Sequence, residues 1–414
     1  MSSITISPVV GAVIKTTIPL AASKSESNRA LIIHALTNFK CELSNLAAAR
    51  DTQTMLRLLQ ASEPTADVLD AGTTMRFLTA YFAVSNQSKI MTGTPRMCER
   101  PIGILVDALR ALGAQIDYVG QEGYPPLQLK GFEPSGQAHL SIKGNVSSQY
   151  ISALLMVAPL LPNGLTLQLT GEIGSRPYIE MTIQQMIYFG ANVQTDWIAK
   201  TISVAPKPYQ PKPYAVESDW SGASYWYSLV ALALDENTQV ELLGLKQNSL
   251  QGDSAIVQIM TTLGVQSVFN KRGVVLTKIP AQAALTWDFT DCPDLAQTVA
   301  VCCAAKGIDL TLTGIESLKI KETDRVAALQ AELPKIGGNL TEVAENQEYM
   351  VKRNEQETPL HVPIIETYDD HRMAMAFAPV GVLQAIEIKE PHVVAKSYPS
   401  FWEDMARVCT VNVG

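Results

Sequence analysis

Residues 72–94 read GTTMRFLTAYFAVSNQSKIMTGT. A glycine-threonine turn leads into an apolar run long enough for a helix, then a polar break and a short strand-like segment. LVDALRALGA (105–114) follows, an amphipathic segment closed by Gly, the residue that suits the positive φ of a helix end. The same grammar recurs along the chain. ESNRALIIHAL begins at Glu26, SSQYISALLMVAPLL at Ser147 and SGASYWYSLVALAL at Ser221. DLAQTVAVCCAAKG begins at Asp294 and DHRMAMAFAPVGVL at Asp370. From Gly72 onward the starts lie roughly 75 residues apart, too far for a solenoid repeat.

Most of these helices feed a short strand: KIMTGT (89–94), LTLQLTG (165–171), TQVELLG (238–244), IDLTLTG (308–314) or AIEIKE (385–390). Most units continue with a second amphipathic helix ending in Gly, as in IQQMIYFGA, IVQIMTTLGV and RVAALQAELPKIGG. Alternating runs such as GVVLTKI and EYMVKR then suit paired strands. The chain thus proposes six similar α/β units, the first shortened as though it had lost a helix or hairpin. A length of 414 residues implies two domains, and the proline-spaced stretch KPYQPKPYAVESDW (207–220) marks the crossover, near Ala215.

Composition narrows the function classes. The chain is 47% apolar and 17% charged, which is globular, and no run is long and apolar enough to span a bilayer. A net charge of −8 disfavours nucleic acid and membrane surfaces as partners. The six cysteines form no CxxC pair and the five histidines no ligand spacing, so a reducing, cytoplasmic setting without a metal is expected. The N-terminal stretch reads as a strand rather than a signal peptide.

Polar clusters precede or open many of the helices, where free N–H groups and a positive partial charge favour anions. Lys24 and Ser25 are expected in the turn before the first helix, with Arg29 inside it. DAGTTMR (70–76) offers Gly72, whose lack of a side chain lets backbone amides approach an anion. PRMCERP (95–101) places Arg100 before a helix that Pro101 can start. Ser147, Ser148 and Gln149 open one helix, and Ser175 and Tyr178 another. KIKETDR (319–325) gathers Lys321, Glu322 and Arg325 ahead of an apolar helix. YDDHRMAM (368–375) holds His371 and Arg372, and AKSYP (395–399) holds Lys396. Taken singly, each cluster also suits a helix cap or a surface charge. His371 reads equally as a general base or a structural side chain.

In order, SKSESNRAL (23–31), AGTTMRF (71–77), PRMCERPIG (95–103), SSQY (147–150), KETDR (321–325), DHRMAMAF (370–377) and AKSYPSF (395–401) resemble the EPSP synthase family of enolpyruvyl transferases. The likeness runs over nearly the whole chain. It implies a two-domain inside-out α/β barrel, each domain of three βαβαββ units. Residues 1–20 would join 217–414 in one domain, 21–216 would form the other, and the active site would occupy the cleft between them. The implied reaction moves the enolpyruvyl group of phosphoenolpyruvate to the 5-hydroxyl of shikimate 3-phosphate, releasing phosphate. It belongs to the shikimate pathway of aromatic amino-acid biosynthesis.

The resemblance also assigns roles. Lys24, Gly72, Arg100, Gln149, Arg325, Arg372 and Lys396 would surround phosphoenolpyruvate. Lys24, Ser25, Arg29, Ser147, Ser148, Gln149, Ser175, Tyr178, Asp294, Ser317 and Lys321 would hold shikimate 3-phosphate. Asp294 and Glu322 would form the acid–base pair, helped by Lys24, with no cofactor or metal, in an enzyme expected to act as a monomer. Four positions depart from the family pattern: Asp70 where Asn is usual, Thr74 for Ala, Phe77 for Pro and Ser317 for Asn. A related transferase family acting on UDP-N-acetylglucosamine shares the fold, but KETDR and DHRMAMAF argue against it.

Overall fold

A computed structural model describes residues 2–11, 13–145, 147–353 and 361–414. The chain divides into two compact units, Met1–Ala22 with Glu217–Gly414, and Ser23–Val216. Each has its own apolar core.

One sheet pattern dominates both units. In the second, Thr65–Asp67 runs parallel to Lys89–Thr92, which pairs antiparallel with Leu127–Phe132, itself antiparallel to Ala114–Tyr118. His139–Lys143, Leu165–Thr170, Thr201–Val204 and Val193–Asp196 repeat that arrangement. The first unit repeats it with Lys15–Ile18, Gln239–Leu243, Gly273–Lys278 and Val265–Phe269. A further copy is Ala284–Asp288, Asp309–Thr313, Glu348–Arg353 and Gly338–Ala344. The last is Ile364–Ile365, Ile386–Lys389, Ser3–Pro8 and Cys409–Val413. A two-stranded parallel sheet, Leu43–Ser44 with Tyr214–Ala215, stands apart from these five.

The helices are of two kinds, and sequence explains which is which. Trp220–Leu232 is buried at every position, Trp220, Tyr225, Trp226 and Tyr227 included. A helix apolar on all sides belongs inside a core. Gly72–Val84 and Ala296–Lys306 are nearly as enclosed. By contrast, Gly103–Leu112 buries a stripe of Leu105, Val106, Leu109 and Leu112 and shows its other face to solvent. It ends at Gly113 with φ 116°, where an added Cβ would fall 1.9 Å from the Glu133 carbonyl oxygen. Only glycine fits there.

Several expected boundaries move. Lys24 and Ser25 lie in the first turn of the helix Lys24–Leu36, not before it, because Ser23 is the cap and accepts from the Glu26 amide. Pro101 does not begin a helix. Pro95 leads the short helix Pro95–Cys98, and Arg100 with Pro101 links it to Gly103–Leu112. Asp294 sits in a 3-10 turn, Pro293–Leu295, ahead of Ala296–Lys306. The shortened first unit keeps a second helix, Arg50–Gln60, whose buried Met55, Leu58 and Leu59 give it one apolar face. Among the described residues its sheet has no hairpin.

Candidate active site

In the Ser23–Val216 unit, the helices Lys24–Leu36, Gly72–Val84, Ser148–Val157 and Arg176–Tyr188 pack on one another. Gly72 is the first residue of its helix, and a Cβ there would lie 2.8 Å from Nη1 of both Arg100 and Arg76. The Arg100 guanidinium therefore sits against this helix N-terminus. Gln149 donates to Thr73 Oγ1 at 3.0 Å, so the start of Ser148–Val157, capped by Ser147, meets the same point. Lys24 Nζ lies 3.1 Å from Asp51 Oδ2, and Thr74 Oγ1 donates to the Asp51 carbonyl. Asp51 thus ties Lys24 to the Gly72 helix. Arg50 Nη2 answers the charge of the unusual Asp70 at 2.9 Å.

Arg29 is deeper than its neighbours. Its guanidinium donates to Thr182 Oγ1 (2.6 Å), the Ser25 carbonyl (2.8 Å), the Tyr178 carbonyl (3.2 Å) and Ser152 Oγ (3.4 Å). It also faces the rings of Phe77 and Tyr178. Burial pushes its pKa down to about 10, although Tyr178 and Glu26 pull the other way. Ser175, in a left-handed conformation, and Tyr178 open Arg176–Tyr188 half-buried.

The other unit gathers charge around Arg325, the first residue of Arg325–Glu332 and almost wholly buried. Its Nε donates to Asp370 Oδ2 (2.7 Å), Nη1 to Asp294 Oδ1 (3.1 Å) and Nη2 to Glu322 Oε2 (2.9 Å). One planar fork thereby fixes three carboxylates, which a lysine could not do. Arg372 Nη2 reaches Asp294 Oδ2 at 2.8 Å, and Lys396 Nζ lies 3.9 Å from Glu322 Oε1. Burial opposes ionisation of Asp294, but Arg372, Lys321 and Arg325 outweigh it and hold its carboxyl well below the usual range. Asp294, Glu322, Lys321, Arg325, Arg372 and Lys396 therefore form one cluster. Ser317 is exposed on the 3-10 turn Glu316–Ile320. His371 is buried at the start of its helix, Nδ1 3.5 Å from Asp370 Oδ1.

Sequence reasoning missed Asp51, Thr73, Asp253 and the part played by Ser221, Tyr225 and Asp370. Arg372 Nη1 approaches Tyr225 Oη (3.3 Å) and Nη2 approaches Ser221 Oγ (3.4 Å), while Ser221 donates to the buried Asp253. Burial first, and then Asp294, push the Asp253 carboxyl up to about 7. Its signal was QGD (251–253) ahead of an apolar helix, the same grammar as the other clusters.

This shift has a consequence for stability. With its pKa raised, Asp253 keeps a proton in the folded state between about pH 4 and 7 that the unfolded chain has lost, so stability falls as pH rises through that window. Asp294, held low, titrates below it. Asp253→Asn, which needs no ionisation, should therefore gain melting temperature over wild type at pH 8 and not at pH 5. Equal shifts at both pH values would contradict this account.

Among the described residues, no group of His, Cys, Asp and Glu could hold a metal ion, and no helix is long and apolar enough to cross a membrane. The six cysteines are free thiols.

Comparison with known proteins agrees over most of the chain. The family model described as EPSP synthase (3-phosphoshikimate 1-carboxyvinyltransferase) matches residues 10–63 and 60–405. A 3-phosphoshikimate 1-carboxyvinyltransferase of Bacteroides fragilis is 50% identical, covering 95% of each chain. One from Neisseria gonorrhoeae is 36% identical, covering 94% of each. A solved EPSP synthase from Acinetobacter baumannii superposes with a TM-score of 0.77 over all of both chains at 19% identity, which speaks to the α/β fold with mixed sheets.

Proposed function

The chain belongs to the EPSP synthase family, and from that premise we propose how its residues perform the family's reaction. It is a transferase that moves the enolpyruvyl group of phosphoenolpyruvate to shikimate 3-phosphate. The observation that carries the mechanism is the buried Arg325 fork holding Asp294 and Glu322 together.

Phosphoenolpyruvate is assigned to Arg100, Gln149 and Lys24 with the Gly72 amide, and to Arg325, Arg372 and Lys396. Shikimate 3-phosphate is assigned to Ser25, Arg29, Ser147, Ser148, Gln149, Ser175, Tyr178, Ser317 and Lys321. The two substrates bring two phosphates and two carboxylates, and seven cationic side chains answer them. Once the substrates draw Arg325 and Lys396 onto themselves, Glu322 takes up a proton and passes it to C3 of phosphoenolpyruvate, leaving positive charge at C2. Asp294 takes the proton of the 5-hydroxyl as its oxygen bonds to C2. The adduct then loses phosphate, assisted by Lys24, as Glu322, now a carboxylate, takes a proton back from C3.

Electrostatics give the order of events. In the free protein Arg372, Lys321 and Arg325 hold Asp294 a weak base. An anionic substrate that draws these cations onto itself loosens that hold, and the carboxylate becomes basic when a hydroxyl proton needs an acceptor. Fixing both substrates in attack geometry contributes about 7–11 kcal/mol, more than either proton transfer.

The same reading makes each half an inside-out α/β barrel of βαβαββ units. The recurring sheet pattern and the fully buried helices support it. It also takes residues 1–20 with 217–414 as one domain and 21–216 as the other, in a monomer.

The direct test is phosphate release with both substrates beside a control lacking shikimate 3-phosphate. Release only in the complete mixture is expected, and release without shikimate 3-phosphate would overturn the acceptor. A finer test is Gly72→Ala. Its methyl would press on Nη1 of both Arg100 and the buried Arg76 and so move the Arg100 guanidinium off the helix N-terminus. The KM for phosphoenolpyruvate should rise about tenfold, near 1.4 kcal/mol. An unchanged KM would remove Arg100 from that substrate.

A further inference from the structure

The segment before Arg372 is held in an unfavourable conformation. Tyr368 and Asp369 have φ of 54° and 55°, two consecutive non-glycine residues in the left-handed region. Such a turn persists only where its surroundings over-determine it, and such outliers cluster at functional sites. Here the surroundings are specific. Tyr368 Oη donates to Glu332 Oε1 at 2.8 Å, and the Glu366 amide donates to Glu332 Oε2 at 3.0 Å. Lys335 Nζ lies 2.7 Å from that same Oε2. Glu332 is buried and is the last residue of the helix that Arg325 begins.

One helix therefore grips one loop at two points. Its first residue, Arg325, binds Asp370, and its last, Glu332, binds Tyr368 and the Glu366 amide. Asp370 in turn accepts from the Arg372 amide at 2.8 Å and donates its own amide to the Thr367 carbonyl. Thr367 Oγ1 reaches Glu390 Oε2 at 3.0 Å, just ahead of the turn Pro391–Lys396 that bears Lys396. Three cations on three separate elements are tied through residues 366–370.

We propose that Glu332 and Tyr368 are positioning residues, a latch that sets Arg372 in register with Arg325 for phosphoenolpyruvate. The proposal rests on the reading that these two arginines bind that substrate. Tyr368 is 40% exposed, and partial desolvation, then the Glu332 carboxylate, push its phenol up to about 12, so it remains a donor at neutral pH. The latch works by geometry alone, since neither side chain needs to touch substrate.

The test uses Tyr368→Phe, which removes one hydroxyl, with and without Arg372→Ala, and Glu332→Gln as a second variant. Amide hydrogen exchange over residues 366–373 of the full chain without ligands reads the latch directly. Faster exchange at Asp370 and Arg372 is expected in Tyr368→Phe and in Glu332→Gln. The KM for phosphoenolpyruvate should rise about tenfold, with that for shikimate 3-phosphate within about twofold, and the rise should vanish in the Arg372→Ala background. A merely structural residue would change both KM values alike. Unchanged exchange in both variants overturns the latch, as does a KM effect that persists undiminished without Arg372. If exchange quickens but Arg372→Ala leaves the KM for phosphoenolpyruvate unmoved, the latch stands and the substrate assignment of Arg372 fails.

Discussion

Arg325→Lys should lower activity on the order of 10³-fold while keeping the positive charge, because the fork rather than the charge is what the site uses. Arg325 sends separate N–H groups to Asp370, Glu322 and Asp294, and an ammonium on a flexible stem cannot reproduce that plane. Stability should fall too. Breaking a buried charge pair typically costs about 3–5 kcal/mol, since the partner is left buried and uncompensated. With about 2–4 °C per kcal/mol for a unit of this size, the melting temperature should drop on the order of 10 °C. Arg325→Ala should drop it further, leaving three carboxylates without their shared cation. Calorimetry beside kcat/KM separates the two effects. Lysine should recover part of the melting temperature lost in the alanine variant and almost none of the turnover. A lysine variant within tenfold of wild-type kcat/KM would show that charge alone suffices, and the fork argument would be wrong.

That network also marks how far sequence reading reached. The starts of the buried helices were legible because each joins a polar cap to an apolar run. Asp219, Asp324 and Asp370 each accept from an amide in the first turn of the helix they precede. The error at Lys24 has a local cause: Ser23 and Ser25 are equally good caps by type, and only backbone conformation chooses Ser23. Helix Arg50–Gln60 was overlooked although Met55, Leu58 and Leu59 carry helical spacing. Its polar first turn hid an ordinary amphipathic pattern.

Side-chain partnerships were not legible from spacing. Asp294 is 31 residues from Arg325 and Asp370 is 45, and no periodicity relates them. Asp370 opens the run DHRMAMAF, yet its two jobs, capping Arg372 and fixing Arg325, depend on a fold already made. Asp253 shows the same limit more sharply. Its unusual protonation comes from burial and from Asp294, neither of which a linear sequence displays. Arg29 shows it too: its guanidinium donates to Thr182 and Ser152, 153 and 123 residues away, and to two carbonyls, partners that no spacing displays.

Glu322→Gln separates chemistry from binding at this site. The amide keeps the size of the side chain and an oxygen to accept from Arg325 Nη2, so the fold and the cluster should survive. What it lacks is a proton to deliver to C3 of phosphoenolpyruvate. A general acid contributes roughly 10²–10⁴-fold, so kcat should fall by that factor while both KM values stay close to wild type. Isotope exchange gives an independent readout. In D2O the wild-type reaction places solvent deuterium on C3 when the adduct forms, and the vinyl group of the product carries it after elimination. Glu322→Gln should lose that incorporation in step with turnover, for the adduct cannot form without the proton. A residue that only oriented Arg325 and Lys396 would instead raise the KM for phosphoenolpyruvate and leave kcat, and with it the rate of deuterium uptake at saturating substrate, near wild type. Near-normal kcat in the glutamine variant would remove Glu322 from the proton path, leaving Asp294 as the sole carboxylate of the cluster still assigned a proton transfer.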